Sequence, residues 1–154
     1  MIFPQDQGEQ TMKNNKVEWV RKVYSDGRWN GQTDIVRWRD RYYICSRNGS
    51  NHPVPPPYPQ DGRMIISSSQ DLSTWRVETI IELADQNLID PHLLATEDRL
   101  FLYLMACRLE AAYTGSCAKP MVSSSQDGKN WSEPKQCFIQ TQNFWRPQAY
   151  SCGY

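Results

Sequence analysis

The chain has 154 residues, enough for one ordinary domain, and its 17 basic and 17 acidic residues leave no formal net charge. This balance gives no electrostatic footprint for nucleic acid or an anionic membrane surface, and no apolar stretch approaches the length of a membrane span. Aromatic residues make up 12% of the chain and prolines number 10, which favours sheets and fixed loops over long helices.

Residues 1–16 are polar and lack hydrophobic periodicity, so we interpret them as a flexible N-terminal arm. They contain neither a basic lead nor an apolar core, so they do not resemble a secretory signal. The five cysteines form an odd set without metal-ligand spacing. We therefore expect a cytoplasmic chain with reduced thiols, no metal and no cofactor.

The first structural unit is predicted over residues 17–85. Apolar and alternating runs predict strands at residues 17–20, 34–38, 42–45, 64–67 and 75–81. Asp40-Arg41 predicts a tight turn after the second of these strands. Residues 47–59 contain five prolines and are predicted to form a loop.

The second unit, over residues 86–140, follows the same plan. Its predicted strands are residues 90–94, 100–106, 119–123 and 131–138, with Asp98-Arg99 as the first turn. A third unit is predicted to start within residues 141–154, and its first strand would lie at residues 146–150.

The two units share a repeated segment. Residues 67–75 (SSSQDLSTW) return as residues 123–131 (SSSQDGKNW), a step of 56 residues from Ser69 to Ser125. A repeat near this length, built from short apolar runs and turn residues, is typical of a propeller blade. The predicted fold is therefore all-β, made of four-stranded antiparallel β-propeller blades. Because a propeller needs at least about four blades, we expect the remaining blades in the same chain or in another.

In each copy of the repeat, a serine and an aspartate precede a tight turn that a tryptophan closes. The carboxylate and hydroxyl can accept backbone N–H bonds and the indole can cover the hairpin, so a structural role is predicted. Gly128 suits a positive φ in this turn better than Leu72 of the first copy. The residues with this predicted role are Ser69, Asp71, Trp75, Ser125, Asp127 and Trp131.

The same 56-residue step separates Asp34, Asp90 and Arg146, each at the predicted beginning of the first strand of a unit. The innermost strands of a propeller run along its central channel, so equivalent strand ends converge in space. We therefore expect two acids and one arginine to form a polar cluster at the axis. Asp34 and Asp90 are either site acids or caps for neighbouring backbone N–H groups.

The Ser-x-Asp-(Gly)-x-x-Trp pattern resembles the Asp-box, or BNR repeat, of the sialidase superfamily, whose members are six-bladed propellers. Other segments similar to this superfamily are residues 33–38, 41–43, 46–49, 89–91 and 144–146. The resemblance runs from about Gly31 to the C-terminus. It implies a glycoside hydrolase that removes a terminal acidic sugar with retention of configuration.

The resemblance also implies roles for individual residues. Sialidases use an arginine cluster for the substrate carboxylate, an aspartate acid/base and a tyrosine nucleophile paired with glutamate. The tyrosine–glutamate pair would come from later blades, so we expect this chain to be inactive alone. For Arg47 and Arg146 the alternative role is a salt bridge to a nearby acid. For His52 the alternative is a solvent-exposed loop residue without a function. The candidates are Asp34, Asp90 and His52 for catalysis, and Arg47, Arg146 and Arg108 for substrate binding.

Two other functions stay open. Residues 89–93 (IDPHL) also resemble a motif of five-bladed glycosidases of the arabinanase/xylosidase type, in which paired carboxylates act on neutral sugars. A non-catalytic propeller that binds carbohydrate or a protein partner is the third function. We expect carbohydrate as the partner, with no nucleic acid and no membrane.

Overall fold

The structure is a computed structural model that describes residues 20–52, 61–108, 118–138 and 146–149, without the side chain of Arg108. The predicted N-terminal arm, most of the predicted strand at residues 17–20, loop residues 53–59, and residues 141–145 and 150–154 of the third unit lie outside this part. Residues 146–149 belong to no strand.

The described residues contain eight strands in two four-stranded antiparallel sheets. The first sheet consists of β1 (Trp29–Trp38), β2 (Arg41–Gly49), β3 (Arg63–Ser69) and β4 (Arg76–Ile81), in that spatial order. The second sheet consists of β5 (Gln86–Ala95), β6 (Leu100–Arg108), β7 (Lys119–Ser125) and β8 (Lys135–Gln136). Each sheet is a meander whose sequential strands are neighbours, as in a propeller blade. Among the described residues, no helix is long and apolar enough to cross a membrane.

The structure corrects several predicted boundaries, and β1 and β5 begin at Trp29 and Gln86 rather than at residues 34 and 90. Residues 47–49 were predicted as loop but belong to β2, because Arg47 pairs with Met64 and Asn48 with Arg63 across the β2–β3 ladder. The predicted strand at residues 131–138 is only two residues long, because β7 pairs with Lys135 and Gln136 alone.

One face of the first sheet packs against one face of the second and forms the main core. Successive side chains of a strand point to opposite faces, so each strand contributes alternate residues to this core. A second apolar cluster of Ile89, Met105, Cys107 and Ala118 lies on the second sheet. The buried residues of the main core are Trp38, Tyr43, Cys45, Met64, Ile66, Ile81, Leu88, Leu93, Leu100, Leu102, Leu104 and Ala106.

The two sheets meet along a seam between β1 and β5, which are the first strands of their sheets. One edge of β5 pairs with β6, and the backbone N–H and C=O groups on its other edge need partners elsewhere. Each such group that is buried without a partner costs about as much free energy as a lost hydrogen bond. Side chains and backbone of the first sheet bond to these groups instead. The bonds are Leu88 N to Gly62 O (2.9 Å), Arg47 Nε to Leu88 O (3.2 Å), Leu93 N to Asp34 Oδ2 (2.9 Å) and Asp90 N to Gln32 Oε1 (3.4 Å).

Gly62 lies at the seam, where its carbonyl oxygen accepts the N–H of Leu88 at 2.9 Å. A Cβ atom at this position would lie 2.5 Å from Leu88 O and 2.6 Å from Arg47 Nε, and it would also collide with Asn87 Oδ1. All three partners are fixed in the seam, so the backbone itself would have to move.

We predict that Gly62→Ala lowers the free energy of unfolding by about 2–3 kcal/mol, because it overpacks the seam. The measurement is urea denaturation followed by tryptophan fluorescence. Gly27→Ala is the control, since a Cβ atom at Gly27 meets nothing within 4 Å and only the φ of +82° opposes the change. This backbone strain should lower the free energy of unfolding by about 1 kcal/mol. Equal losses for the two variants would contradict a tightly packed seam.

Candidate functional site

The strand registers determine which residues of the two sheets are equivalent. Tyr42 pairs with Ser69 in the first sheet, and Leu100 pairs with Ser125 in the second. The serines are 56 residues apart, but Tyr42 and Leu100 are 58 residues apart. The path from β2 to β3 is therefore two residues longer than the path from β6 to β7.

This offset corrects the predicted alignment of the acids. Asp34 pairs with Cys45 and His92 with Tyr103, so the residue equivalent to Asp34 is His92. The residue equivalent to Asp90 is Gln32. The prediction that Asp34 and Asp90 begin equivalent strands is wrong, since both lie inside longer strands. The constant 56-residue step of the repeat cannot reveal that the β2–β3 connection is two residues longer than the β6–β7 connection.

Gln32 and Asp90 are bulge residues at equivalent places. The register of β1 slips at Gln32, and that of β5 slips at Asp90 and Pro91. Their φ angles of 46° and 49° fall in the left-handed region, which costs a non-glycine residue about 1–2 kcal/mol. Arg146 has a φ of 44° and precedes a proline, as Asp90 does. We refer to Gln32, Asp90 and Arg146 as the hub residues.

The carboxylate of Asp90 is bound on one side only. Gln32 Nε2 donates to Asp90 Oδ1 at 2.5 Å, and Gln32 Oε1 accepts the Asp90 backbone N–H at 3.4 Å. No described residue donates to Oδ2. Because no buried side-chain oxygen in the described part lacks a partner, Oδ2 is not completely buried. Asp90 therefore has one oxygen that can accept a hydrogen bond from a ligand.

Asp34 is more fully engaged. Its Oδ1 accepts the N–H of Ile35 at 2.8 Å, and its Oδ2 accepts the N–H of Leu93 at 2.9 Å. The imidazole of His92 lies at the same carboxylate, with Nδ1 4.0 Å from Oδ2. This geometry is that of a cap which ties β1 to β5. A catalytic role for Asp34 stays a prediction.

Arg146 lies beside the seam. It is exposed and lines, together with Asp34, two neighbouring cavities of about 470 Å³ and 490 Å³. The larger cavity is bordered by residues of β1, residues of β5 and the segment 146–149. The structure thus brings Asp34 and Arg146 together at two cavities, whereas Asp90 lies further back along β5 and is not among their lining residues.

Arg47 is fully buried at the opposite end of the seam from the β1–β2 turn. Its guanidinium donates to Leu88 O at 3.2 Å, Asn51 O at 2.7 Å and Asn87 Oδ1 at 3.1 Å. Burial lowers the pKa of Arg47, and the charges of Asp61 and Asp90 act in the other direction. Three engaged N–H groups favour a structural role, so substrate binding by Arg47 stays a prediction.

His52 follows β2 and is exposed. Its imidazole meets the ring of Trp29 edge-on, with 5.1 Å between centroids, and the guanidinium of Arg47 lies 5.3 Å from that same indole. The structure does not bring His52 into contact with the hub residues. Its general-acid role stays a prediction, and the side chain of Arg108 lies outside the described part.

No motif or composition signal in the sequence selects Gln32 or Asp61. Gln32 is neutral and only the strand register shows its place. Burial alone would raise the pKa of Asp61, but hydrogen bonds from Ser50 and Arg28, at 2.6–2.8 Å, hold that pKa at about 2. Asp61 therefore anchors the two ends of the β2–β3 connection. No group of three or more metal-ligating side chains lies together in the described residues.

The repeated aspartates are occupied by their own turns. Asp71 and Asp127 each accept the backbone N–H groups of the residues two and three positions later, at 2.8–2.9 Å. The hydroxyls of Ser69 and Ser125 also donate to these carboxylates at 3.0 Å. These hydrogen bonds lower the pKa of both aspartates, because they stabilise the charged form. Oδ1 of each carboxylate is therefore occupied within its own turn.

The two turns differ at one position. The indole of Trp75 donates to Leu72 O at 3.2 Å, and that of Trp131 donates to Gly128 O at 3.3 Å. The φ angles are 60° for Leu72 and 75° for Gly128. The first turn therefore holds a leucine in a conformation that glycine adopts without strain.

We predict that Leu72→Gly raises the free energy of unfolding by about 0.5–1 kcal/mol, because it relieves the left-handed backbone. Urea denaturation measures the change. The matched control is Gly128→Ala, which introduces strain and a collision with the Tyr43 ring and should destabilise the chain. A loss of stability in Leu72→Gly would show that the half-buried side chain outweighs the strain.

Comparisons with known proteins agree with the fold. Neither a protein-family model nor a curated protein matches the sequence. A family 117 glycoside hydrolase produced by the marine bacterium Zobellia galactanivorans is similar, with 16% identity and a TM-score of 0.51 over 67% of this chain and 37% of that one. Trypanosoma rangeli sialidase is similar with 12% identity and a TM-score of 0.55, over 71% of this chain and 20% of that one.

The chain thus spans well under half of the length of either structure. Both neighbours are β-propeller glycosidases, and the two four-stranded antiparallel sheets correspond to a partial propeller. At such low identity, the likeness defines the class of fold.

Proposed function

We propose that this chain supplies part of the hub of a sialidase-like propeller that binds, and in the complete protein hydrolyses, a terminal sugar. The observation that carries the proposal is that Asp34 and Arg146 line one cavity of about 490 Å³, and that Asp90 lies on β5, whose residues 93–95 border the same cavity. This volume is in the range of small-ligand sites. The glycosidase names of both structural neighbours support the same class of function.

An acidic sugar suits the charges of this grouping. Guanidinium groups bind carboxylates with two parallel hydrogen bonds, and Arg146 is an exposed arginine that lines the cavity. Arg47, in contrast, already donates to three protein oxygens. We therefore assign recognition of the sugar carboxylate to Arg146 and a hydroxyl contact to Oδ2 of Asp90.

The five-bladed type of glycosidase is the second candidate, and the accessible oxygen of Asp90 favours it. That chemistry needs a second carboxylate on the other side of the sugar. Asp34 has both oxygens bonded to backbone N–H groups, which makes it a poor partner as it stands. A binding protein without turnover would use the same two contacts as the sialidase-like site.

We predict that Arg146→Ala weakens binding of N-acetylneuraminic acid at least tenfold, because a charged hydrogen-bonded pair is worth about 1.5–3 kcal/mol. Binding of neutral methyl β-galactoside should not change. Isothermal titration calorimetry of the full-length protein measures both affinities. Arg39→Ala is the matched control, since Arg39 is exposed in the β1–β2 turn, away from the cavity.

The outcomes separate the candidates. Equal weakening for both sugars, or none, would contradict carboxylate recognition by Arg146. Turnover of neutral aryl glycosides without binding of the acidic sugar would favour the five-bladed type. Binding without turnover on a broad panel of aryl glycosides would indicate a binding protein.

A further inference from the structure

A repeated backbone irregularity points to a residue that the proposed site needs. Gln32 and Asp90 have the same φ within a few degrees and occupy equivalent bulges of adjacent sheets. Bulges aim side chains away from the regular ladder and are common beside active sites. Strained non-glycine residues persist where the surrounding structure holds them, which again is frequent at binding sites.

The two bulge residues are joined to each other by a pair of hydrogen bonds. The amide of Gln32 donates to Asp90 Oδ1 at 2.5 Å and accepts from the Asp90 backbone at 3.4 Å. This pair determines the orientation of the amide, because only one assignment of its O and N atoms satisfies both contacts. It also restrains the backbone and the carboxylate of Asp90 together.

We propose that Gln32 is a positioning residue of the sugar site, which holds Asp90 so that its Oδ2 accepts a hydrogen bond from a sugar hydroxyl. The inference rests on the proposed function, since it assigns the ligand of Asp90. Gln32 acts through Asp90 and is not itself assigned a contact with the sugar. An apolar side chain at residue 32 would leave the carboxylate free to rotate about χ1 and χ2.

The first test compares two variants that each remove a hydrogen bond across the seam. Gln32→Met keeps the volume of the side chain and loses both contacts with Asp90. Trp38→Phe loses the bond from Trp38 Nε1 to Thr96 O, which measures 2.7 Å and does not involve Asp90. Calorimetry with N-acetylneuraminic acid and methyl β-galactoside gives affinity, and thermal melting gives stability, both on the full-length protein.

We expect Gln32→Met to lose at least tenfold in affinity for whichever sugar the wild type binds. Trp38→Phe should keep its affinity for that sugar. Both variants should show a similar small drop in Tm. Unchanged affinity in Gln32→Met would overturn the inference while leaving the proposed function intact. Equal losses in both variants would overturn it as well, because the effect would then follow stability. A wild type that binds no sugar would overturn both proposals. Should Gln32→Met fail to melt cooperatively, Gln32→Asn replaces it, since the shorter amide breaks the contact without an apolar group.

A second test exchanges the partners. Gln32→Glu places two carboxylates against each other and should lower both Tm and sugar affinity, whereas Asp90→Asn replaces one carboxylate oxygen by an NH2 donor and keeps one acceptor oxygen. The double variant Gln32→Glu/Asp90→Asn restores a donor and an acceptor in reversed order. The amide nitrogen at position 90 then faces the carboxylate at position 32, and the amide oxygen takes the place of Asp90 Oδ2, so we expect recovery of both the Tm and the sugar affinity lost by Gln32→Glu. Recovery of the Tm without any recovery of affinity would overturn the inference, because the restored contact would then not position the acceptor.

Discussion

The free edge of β5 imposes the constraint on which the rest of this structure depends. An edge strand buried against another blade must find partners for its backbone groups outside its own sheet. The groups that bond to the first blade belong to Leu88, Asp90 and Leu93. The backbone groups of residues 88 and 90 point to the same edge of β5, because successive residues of a strand alternate in direction. The bulge at Asp90 and Pro91 shifts this alternation, so that the next N–H at this edge is that of residue 93.

This constraint explains why polar residues lie inside an apolar seam. Arg47, Gln32 and Asp34 each bond to one of these edge groups, and together they set the lateral position of one blade on the other. Asp90 is different, because its backbone N–H and its Oδ1 bond to Gln32 across the seam while its Oδ2 takes no part in it. A group that is not needed to join the blades is free to contact a ligand. The geometry therefore separates Asp90 from the other polar residues of the seam.

The all-β fold and its division into repeated sheets follow from short-range signals. The serine, aspartate and tryptophan of the 56-residue repeat appear in the sequence at fixed spacing, and the turn that they form is local. The place of Gln32 depends instead on a bulge and on the 58-residue offset between equivalent residues of the two sheets. Neither leaves a signal in the composition of the sequence. The end of β2 was missed for a similar reason. Arg47 and Asn48 look like loop residues until their partners in β3 and β5 are known.

The two kinds of repeated position behave in opposite ways within this one chain. In the outer turns the same three residue types return, because each hairpin must make the same hydrogen bonds to the same backbone groups. At the seam, the equivalent positions of the two sheets hold an amide, at Gln32, and a carboxylate, at Asp90, in the same left-handed conformation. Two carboxylates at this contact would repel each other. An amide and a carboxylate can instead form a hydrogen bond, so the backbone repeat supplies the equivalent positions and the difference between the side chains supplies the contact that joins the two sheets.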